Sequence, residues 1–438
     1  MNRMLHIRAE KGWINDPNGL CFFKGYYHVF FQCNPYGLEW AKMHWAHVRS
    51  RNLLDWEYCP LALVPEIECE RGEKGGCFSG SAIEKDGLLY LVYTASDGLH
   101  QKVCIAYSQD GMEFKKYEGN PVLISSEYEN DFRDPKVFFH EGLYYMVLGA
   151  YKKGSSGCIL LYSSEDLLSW SFCGNIFSLD RSIGTMPECP DLFFLDGRWV
   201  LTFSPVDPGY DGYSSMAIIG TMDFSVPEFK AEKTIPIDYG KDYYASQSFL
   251  DEKGRRIAFA WAGSWQWLPE FNGFPIMGDH TGCLTMAREY HIRDGGFVSE
   301  PIDEIKALIK RERNDVRLLS GEKLSLDKKR HIGLKKTISG KREGKLLFSL
   351  SRNHFIIFDF RALNAVVLNI EGGGIKHSAN IPIPKEMEFS LSLFYESPVL
   401  EMFLNNGEVS YTECIMLDDN DYSPCMECID GDLSLRCF

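Results

Sequence analysis

Along the first 300 positions the apolar residues fall in short runs broken by Gly, Asn, Asp and Pro. The first pair sets the pattern: Leu20 to Phe23, a turn at Lys24-Gly25, then Tyr26 to Phe31. Two apolar runs joined by a tight Gly-containing turn predict a β-hairpin. The layout returns about every 55 to 60 residues. Its five openings are Asn15-Asp16-Pro17, Phe78-Ser79-Gly80-Ser81, Arg133-Asp134-Pro135, Glu188-Cys189-Pro190-Asp191 and Ala245-Ser246-Gln247-Ser248. Each leads to a turn glycine (Gly25, Gly87, Gly142, Gly197, Gly254) and then to a second strand of aromatic and β-branched residues. Ser50 to Trp56, Ser108 to Phe114 and Ser163 to Trp170 add a recurring Ser-rich turn with an aromatic at the next strand. A repeating unit of about four short strands without helical periodicity is a propeller blade. Five blades fill residues 1–298. A β-sandwich also has many strands, but it does not produce five motifs in phase.

The first strand of a propeller blade lines the central channel, so the five openings are expected to face one axial pocket. Asp16, Asp134 and Glu188 then converge from three blades, with Arg133 beside Asp134 to offset its charge. Pro17 stiffens the backbone that presents Asp16. A lone Asn-Asp-Pro-Asn reads as a capped turn. Recurrence in register is what argues for a site.

Past Ser299-Glu300-Pro301 the pattern changes. Ile302, Ile305 and Ile309 share one face of an expected short helix, Ile302 to Lys310, within a linker at 299–312. Residues 313–438 then carry strand-like segments, among them Lys345 to Leu350, Phe355 to Phe360, Ala365 to Ile370, Glu388 to Tyr395 and Leu400 to Leu404. These predict an all-β C-terminal domain, a sandwich. The fold class is therefore all-β, a five-bladed β-propeller followed by a β-sandwich. At 438 residues the chain has the length for two cores.

Composition adjusts this picture in a few places. The net charge of −15 argues against nucleic acid and against an anionic membrane surface as partners. No apolar run reaches the length of a membrane span. Met1 to Glu10 lacks the apolar core of a secretion signal, so a cytoplasmic location and reduced thiols are expected for the fourteen cysteines. Cys425-Met426-Glu427-Cys428 has no second CxxC pair to complete a zinc site. Aromatic residues, 14% of the chain, can supply flat platforms for sugar rings or simply fill β cores.

Two carboxyl groups flanking a pocket, one ionised and one protonated, are the equipment for glycoside hydrolysis. Three carboxylates could also bind Ca²⁺, but no Asp-rich loop of ligand spacing surrounds them. No metal or other cofactor is expected. Serine chemistry lacks a Gly-x-Ser-x-Gly elbow, and His44 and His47 merely flank Trp45.

The motifs, taken together, resemble glycoside hydrolase family 32, the β-fructofuranosidases: invertases, sucrose-6-phosphate hydrolases, inulinases and levanases. Trp13 to Gly19 resembles the family's Trp-Met-Asn-Asp-Pro-Asn-Gly signature, with Ile14 for Met. Arg133-Asp134-Pro135 and Glu188-Cys189-Pro190-Asp191 are similar to its Arg-Asp-Pro and Glu-Cys-Pro-Asp boxes. Phe78 to Ser81 and Asp238 through Ala245 match two further segments. The resemblance implies a retaining double displacement with Asp16 as nucleophile, Glu188 as general acid and then base, and Asp134 stabilising the transition state. It also implies that Asn15, Asn18, Gln32, Trp40, Phe78, Ser79 and Arg133 line the fructose subsite. Cys33 stands where the family commonly has Tyr, and Met286-Ala287-Arg288-Glu289 replaces a Leu-Pro-Arg-Glu run.

The implied activity is hydrolysis of a terminal β-D-fructofuranoside in sucrose, sucrose 6-phosphate or a short fructo-oligosaccharide. Fructosyl transfer on the same scaffold shares these boxes, and product analysis on concentrated sucrose separates the two. A non-catalytic fructoside-binding propeller would be expected to have lost a carboxylate. A phosphorylated substrate needs a cation, for which Lys42 and Lys241 lie near the matched segments. Oligomeric state has no signature in the chain.

Overall fold

The computed structural model describes residues 2–128, 130–209, 212–265, 276–308, 314–325, 336–371, 374–383, 388–415, 417 and 422–437. They group into two compact units, Met1–Pro236 with Asp242–Phe297, and Ile237–Lys241 with Val298–Phe438.

The first unit is built from five sheets whose successive blade strands pair antiparallel. Their opening strands are Gly12–Phe23, Gly76–Lys85, Phe132–His140, Pro187–Leu195 and Tyr244–Leu250. Each opening strand abuts the next, and the fifth abuts the first, which closes the ring of a five-bladed propeller. Four of the hairpins turn through two residues with positive φ: Lys24-Gly25, Asp86-Gly87, Glu141-Gly142 and Asp196-Gly197. That is type I′ geometry, whose twist matches the strands it joins and which glycine adopts without strain. The fifth hairpin uses a longer loop, with Gly254 at φ 77° and Asp251 accepting the amides of Lys253 and Arg255.

Apolar side chains fill the spaces between blades. Phe30 and Trp45 meet Leu91 and Tyr93, Val92 and Ile105 meet Met146 and Leu148, and Val147 and Leu161 meet Leu201 and Phe203. Each such side chain contributes about 1.5–3 kcal/mol by leaving water. Nearer the axis the links are polar. Asn18 Oδ1 accepts the Gly80 amide, Ser81 Oγ donates to the Pro135 carbonyl, and Lys136 pairs with Asp191, which also accepts from Ser248.

The first sheet exceeds the repeat. Asn2–Arg3 pairs with Asp55–Leu63 on one edge, and His280–Thr281 pairs in parallel with Gly12 and Trp13 on the other. The second blade is thin, because its last strand is only Lys115–Lys116.

In the second unit, Lys336–Ser349 belongs to two layers. Its first half pairs with Glu388–Glu396 and its second half with His354–Asp359, with a register shift between Gly340 and Gly344. A strand that changes sheet at glycines is a way to make the corner of a sandwich. Leu346, Phe348, Ile356, Leu393, Leu400, Met402 and Tyr411 form its core. The expected helix Ile302–Lys310 is shorter than the periodicity suggested. It runs Asp303–Lys306, because Ile302 and Ile305 are buried while Leu308 is exposed and carries no stripe onward; positions 309 and 310 lie outside the described residues. Residues 299–308 are also not a free connector, since the Ser299 amide bonds the Gly407 carbonyl within this unit. Ile237–Lys241 joins the unit from inside the propeller sequence. Asp238 is buried there, accepting the Thr412 amide and hydroxyl.

Candidate active site

All five opening strands break register at the motif positions: between Ile14 and Pro17, Phe78 and Gly80, Arg133 and Lys136, Glu188 and Asp191, and Tyr244 and Gln247. A β-bulge re-aims a side chain that regular alternation would send into the sheet packing. Three bulges hold a non-glycine residue at positive φ: Asp134 at 64°, Cys189 at 47° and Ala245 at 54°. Such backbone persists where the surroundings over-determine it, as at a functional site. Five repeats of one distortion build one site.

Asp16 sits between two donors. Ser79 Oγ donates to Oδ2 at 2.6 Å and Asn15 Nδ2 to Oδ1 at 3.0 Å, while Trp13 Nε1 fixes Asn15 by donating to its Oδ1 at 2.8 Å. Cys189 ties two carboxylates together. Its amide donates to Asp134 Oδ2 at 2.9 Å, and its Sγ lies 3.7 Å from Asp16 Oδ2. The Asp134 amide donates to Thr94 Oγ1, whose hydroxyl donates to the Ser79 carbonyl. Glu188 is gripped on both oxygens. Arg133 Nε and a terminal guanidinium nitrogen reach Oε1 at 3.0 and 2.9 Å, and the Tyr244 hydroxyl donates to Oε2 at 2.5 Å.

These contacts explain the electrostatics. Burial raises Asp16 to about 6, with Glu188 adding to the rise and the Ser79 and Asn15 hydrogen bonds opposing it. Burial raises Asp134 to about 7, Arg133 pulls it down, and Glu188 and Asp16 push it up. Burial beside neighbouring carboxylates thus lets Asp16 and Asp134 hold their protons closer to neutral pH than ordinary aspartates do.

Arg133 offsets the charge of Asp134 as expected, but without a direct bond to it. Its side chain bonds Glu188 and Asp131, not Asp134, which feels it only through space. Phe78 and Trp40 meet edge to face at 5.7 Å, and Gln32 donates to the Cys77 carbonyl next to Phe78. Asn18 has no exposed surface, and its bond to Gly80 makes it a strut between blades. Sequence reasoning passed over Tyr244, Thr94 and Trp265. Tyr244 directly precedes the fifth opening and so shared the signal, but a phenol in a β-rich chain looks like core. Trp265 stacks on Trp13 at 6.2 Å and meets Trp40 at 6.4 Å, which extends the aromatic wall. Lys42 is exposed and lies in left-handed backbone, its carbonyl bonded by His44 Nδ1.

A carboxyl cluster with an aromatic wall and a clamped Glu suits acid–base work on a sugar. Comparison with known proteins agrees. The sucrose-6-phosphate hydrolase of Bacillus subtilis is 33% identical over 425 residues, covering 92% of this chain and 86% of that protein. A Bombyx mori family 32 β-fructofuranosidase, solved as a mutant with sucrose, superposes with a TM-score of 0.81 at 30% identity, covering 99% of this chain and 92% of its own. The Lactobacillus gasseri sucrose-6-phosphate hydrolase gives a TM-score of 0.84 at 25% identity, covering 100% and 92%. A profile described as "Glycosyl hydrolases family 32 N-terminal domain" matches residues 6–301, the stretch that carries all five bulged strands, and the chain belongs to that family.

Proposed function

We propose that this glycoside hydrolase cleaves the terminal β-D-fructofuranosyl bond of sucrose, sucrose 6-phosphate or short fructo-oligosaccharides by double displacement. The observation that carries the reading is the chain of contacts joining Ser79, Asp16, Cys189 and Asp134, with Glu188 clamped beside them. Asp16 is the nucleophile. Its carboxylate forms an ester to the anomeric carbon of fructose as the glycosidic C–O bond breaks, and Glu188 gives a proton to the departing oxygen. Water then attacks the ester, Glu188 takes the water's proton, and Asp16 is released. Asp134, fixed by the Cys189 amide, holds sugar hydroxyls, as Asn15, Ser79 and Gln32 do at the same wall. Phe78, Trp40 and Trp265 supply apolar faces.

The names of the relatives favour sucrose 6-phosphate among the candidate substrates. Thirteen described cysteines stand outside any disulfide, which supports a reducing, cytoplasmic setting. Two measurements test the proposal. Proton NMR in the first minutes of reaction is expected to show β-fructose before mutarotation; α-fructose first would exclude the double displacement. Comparing kcat/KM for sucrose, sucrose 6-phosphate and 1-kestose ranks the substrates, and a lower value for the phosphorylated sugar would remove its preference.

A further inference from the structure

Away from the pocket, two thiols meet. Cys69 lies on the short 3₁₀ turn Glu68–Glu70, and Cys104 lies in the strand Gln101–Ser108. Their Sγ atoms are 3.8 Å apart, in hydrogen-bond contact. Cys69 is partly exposed, while Cys104 has no exposed surface. We propose that this pair is a peroxide-responsive modification site, with Cys69 as the attacked thiol and Cys104 as the resolving one, closing a reversible disulfide.

The two positions suit those roles. An oxidant reaches Cys69 from solvent, and Cys104 is already in contact behind it. The hydrogen bond from Cys104 holds the Cys69 thiol below its ordinary value, and Lys102 helps, while burial and Glu70 oppose. Thiolate character of this kind makes a cysteine the preferred target. Cys21, Cys33, Cys59, Cys77, Cys158 and Cys189 are all raised, chiefly by burial, and make poorer nucleophiles towards peroxide. Cys104 is raised too, by its bond to Cys69 and by burial, so it does not compete for the oxidant. It acts only on the sulfenic acid it already touches, whose departing hydroxyl takes its proton.

In the first step the Cys69 sulfur attacks a peroxide oxygen, the O–O bond breaks, and the departing hydroxide takes a proton to leave as water. Cys69 is then a sulfenic acid. In the second step the Cys104 sulfur attacks Cys69 Sγ, the S–O bond breaks, and the hydroxyl departs as a second water with the Cys104 proton. Two thiols and one hydrogen peroxide give one disulfide and two waters, the sulfurs losing the two electrons that the peroxide gains.

Closure to about 2 Å between sulfurs requires one side to move. The strand of Cys104 is held on both sides, by pairing with Leu88–Ser96 and by Asn120, whose side chain bonds the Ile105 amide and carbonyl. Movement therefore falls on the 3₁₀ turn. That turn hangs on one buried carboxylate: Glu70 accepts from the Glu66 and Ile67 amides, from Tyr93 and from Lys116.

The test uses the reduced, folded, full-length protein and a few-fold excess of hydrogen peroxide, followed by alkylation in denaturant and tryptic mass spectrometry. Peptides 52–71 and 103–115 hold the two cysteines, and fragment ions separate Cys69 from Cys59 in the first. The expected result is a 52–71/103–115 cross-link through Cys69, the loss of two free thiols, and recovery of both with dithiothreitol. In Cys104→Ser the sulfenic acid has no resolving partner, so dimedone is expected to label Cys69, and in Cys69→Ser both signals should vanish. If wild-type protein keeps Cys69 and Cys104 alkylatable while other thiols oxidise, the proposal is overturned. The wild-type readout decides the question even where the Cys104→Ser core substitution impairs folding.

Discussion

The Tyr244 hydroxyl donates to Glu188 Oε2 at 2.5 Å, while the Arg133 guanidinium occupies Oε1. A residue of the fifth blade and one of the third thus fix a carboxyl group carried by the fourth. Its rotation is restricted before a substrate arrives, which is the arrangement proton transfer requires.

Tyr244→Phe removes that bond and keeps the ring, which packs edge-on to Trp261 at 6.3 Å. Glu188 becomes a carboxylate as it gives up its proton, and a hydrogen bond to that developing charge is worth about 1.5–3 kcal/mol. We expect kcat on sucrose to fall roughly 10- to 100-fold with little change in melting temperature. Steady-state kinetics beside a thermal melt check this. An unchanged kcat would mean that Arg133 alone positions Glu188.

The Ser79–Asp16 contact predicts a pH effect. Asp16 must be ionised to attack, and its value of about 6 places an acid limb in kcat/KM near that pH. The Ser79 hydrogen bond favours the ionised form, so Ser79→Ala is expected to move the limb upward by roughly one unit. A pH–rate profile on sucrose reads the shift. A limb that stays in place would show that Ser79 holds sugar without tuning the nucleophile.

The same burial has a cost in stability. In the folded protein Asp16 binds its proton up to about pH 6, against an ordinary value of 3.8, so its favourable contribution is complete below about pH 4 and lost as pH rises through 6. At pH 7.5 the ionised carboxylate then costs up to about 3 kcal/mol. Asp16→Asn removes this charge at nearly constant volume, and the Ser79 hydroxyl can rotate to accept from the new amide. We expect turnover to drop by several orders of magnitude while the melting temperature rises at pH 7.5, the gain shrinking towards pH 4. A variant that melts lower than wild type at pH 7.5 would contradict the burial argument.

These pairings show what the sequence could and could not disclose. The recurrence of Asp16, Ser79, Asp134, Glu188 and Ala245 at blade spacing revealed the propeller and its phase, because turn glycines and apolar runs are local signals. The bulges at those motifs were not legible. Pro17, Pro135 and Pro190 hint at broken pairing, yet Ser79 and Ala245 bulge without a proline. The hydrogen-bond partner of Arg133 was not legible for a related reason: its charge offsets Asp134 through space, but the group it bonds, Glu188, came from the next blade. The segment around Asp238 read as propeller because nothing local marks a bond to Thr412, far along the chain.

Glu188→Gln separates a proton donor from a sugar-binding residue. The amide keeps the side chain's shape and can still meet Arg133 and Tyr244, but it cannot give up a proton to a leaving oxygen. With sucrose, whose glucose alkoxide departs poorly unprotonated, kcat is expected to fall towards the upper end of the ~10²–10⁴-fold range for general acid catalysis. An activated β-fructoside with a leaving group of low pKa needs no such help, so its burst of fructosyl-enzyme formation is expected to be far less impaired. The ester on Asp16 then accumulates, because the water that should break it has lost its base. Azide, a small nucleophile that needs no deprotonation, is expected to restore part of the turnover and to yield fructosyl azide. Stopped-flow release of the activated aglycone, with and without azide, measures both effects. Equal losses on the two substrates and no response to azide would assign Glu188 to holding sugar, and the proton would have to come from elsewhere in the pocket.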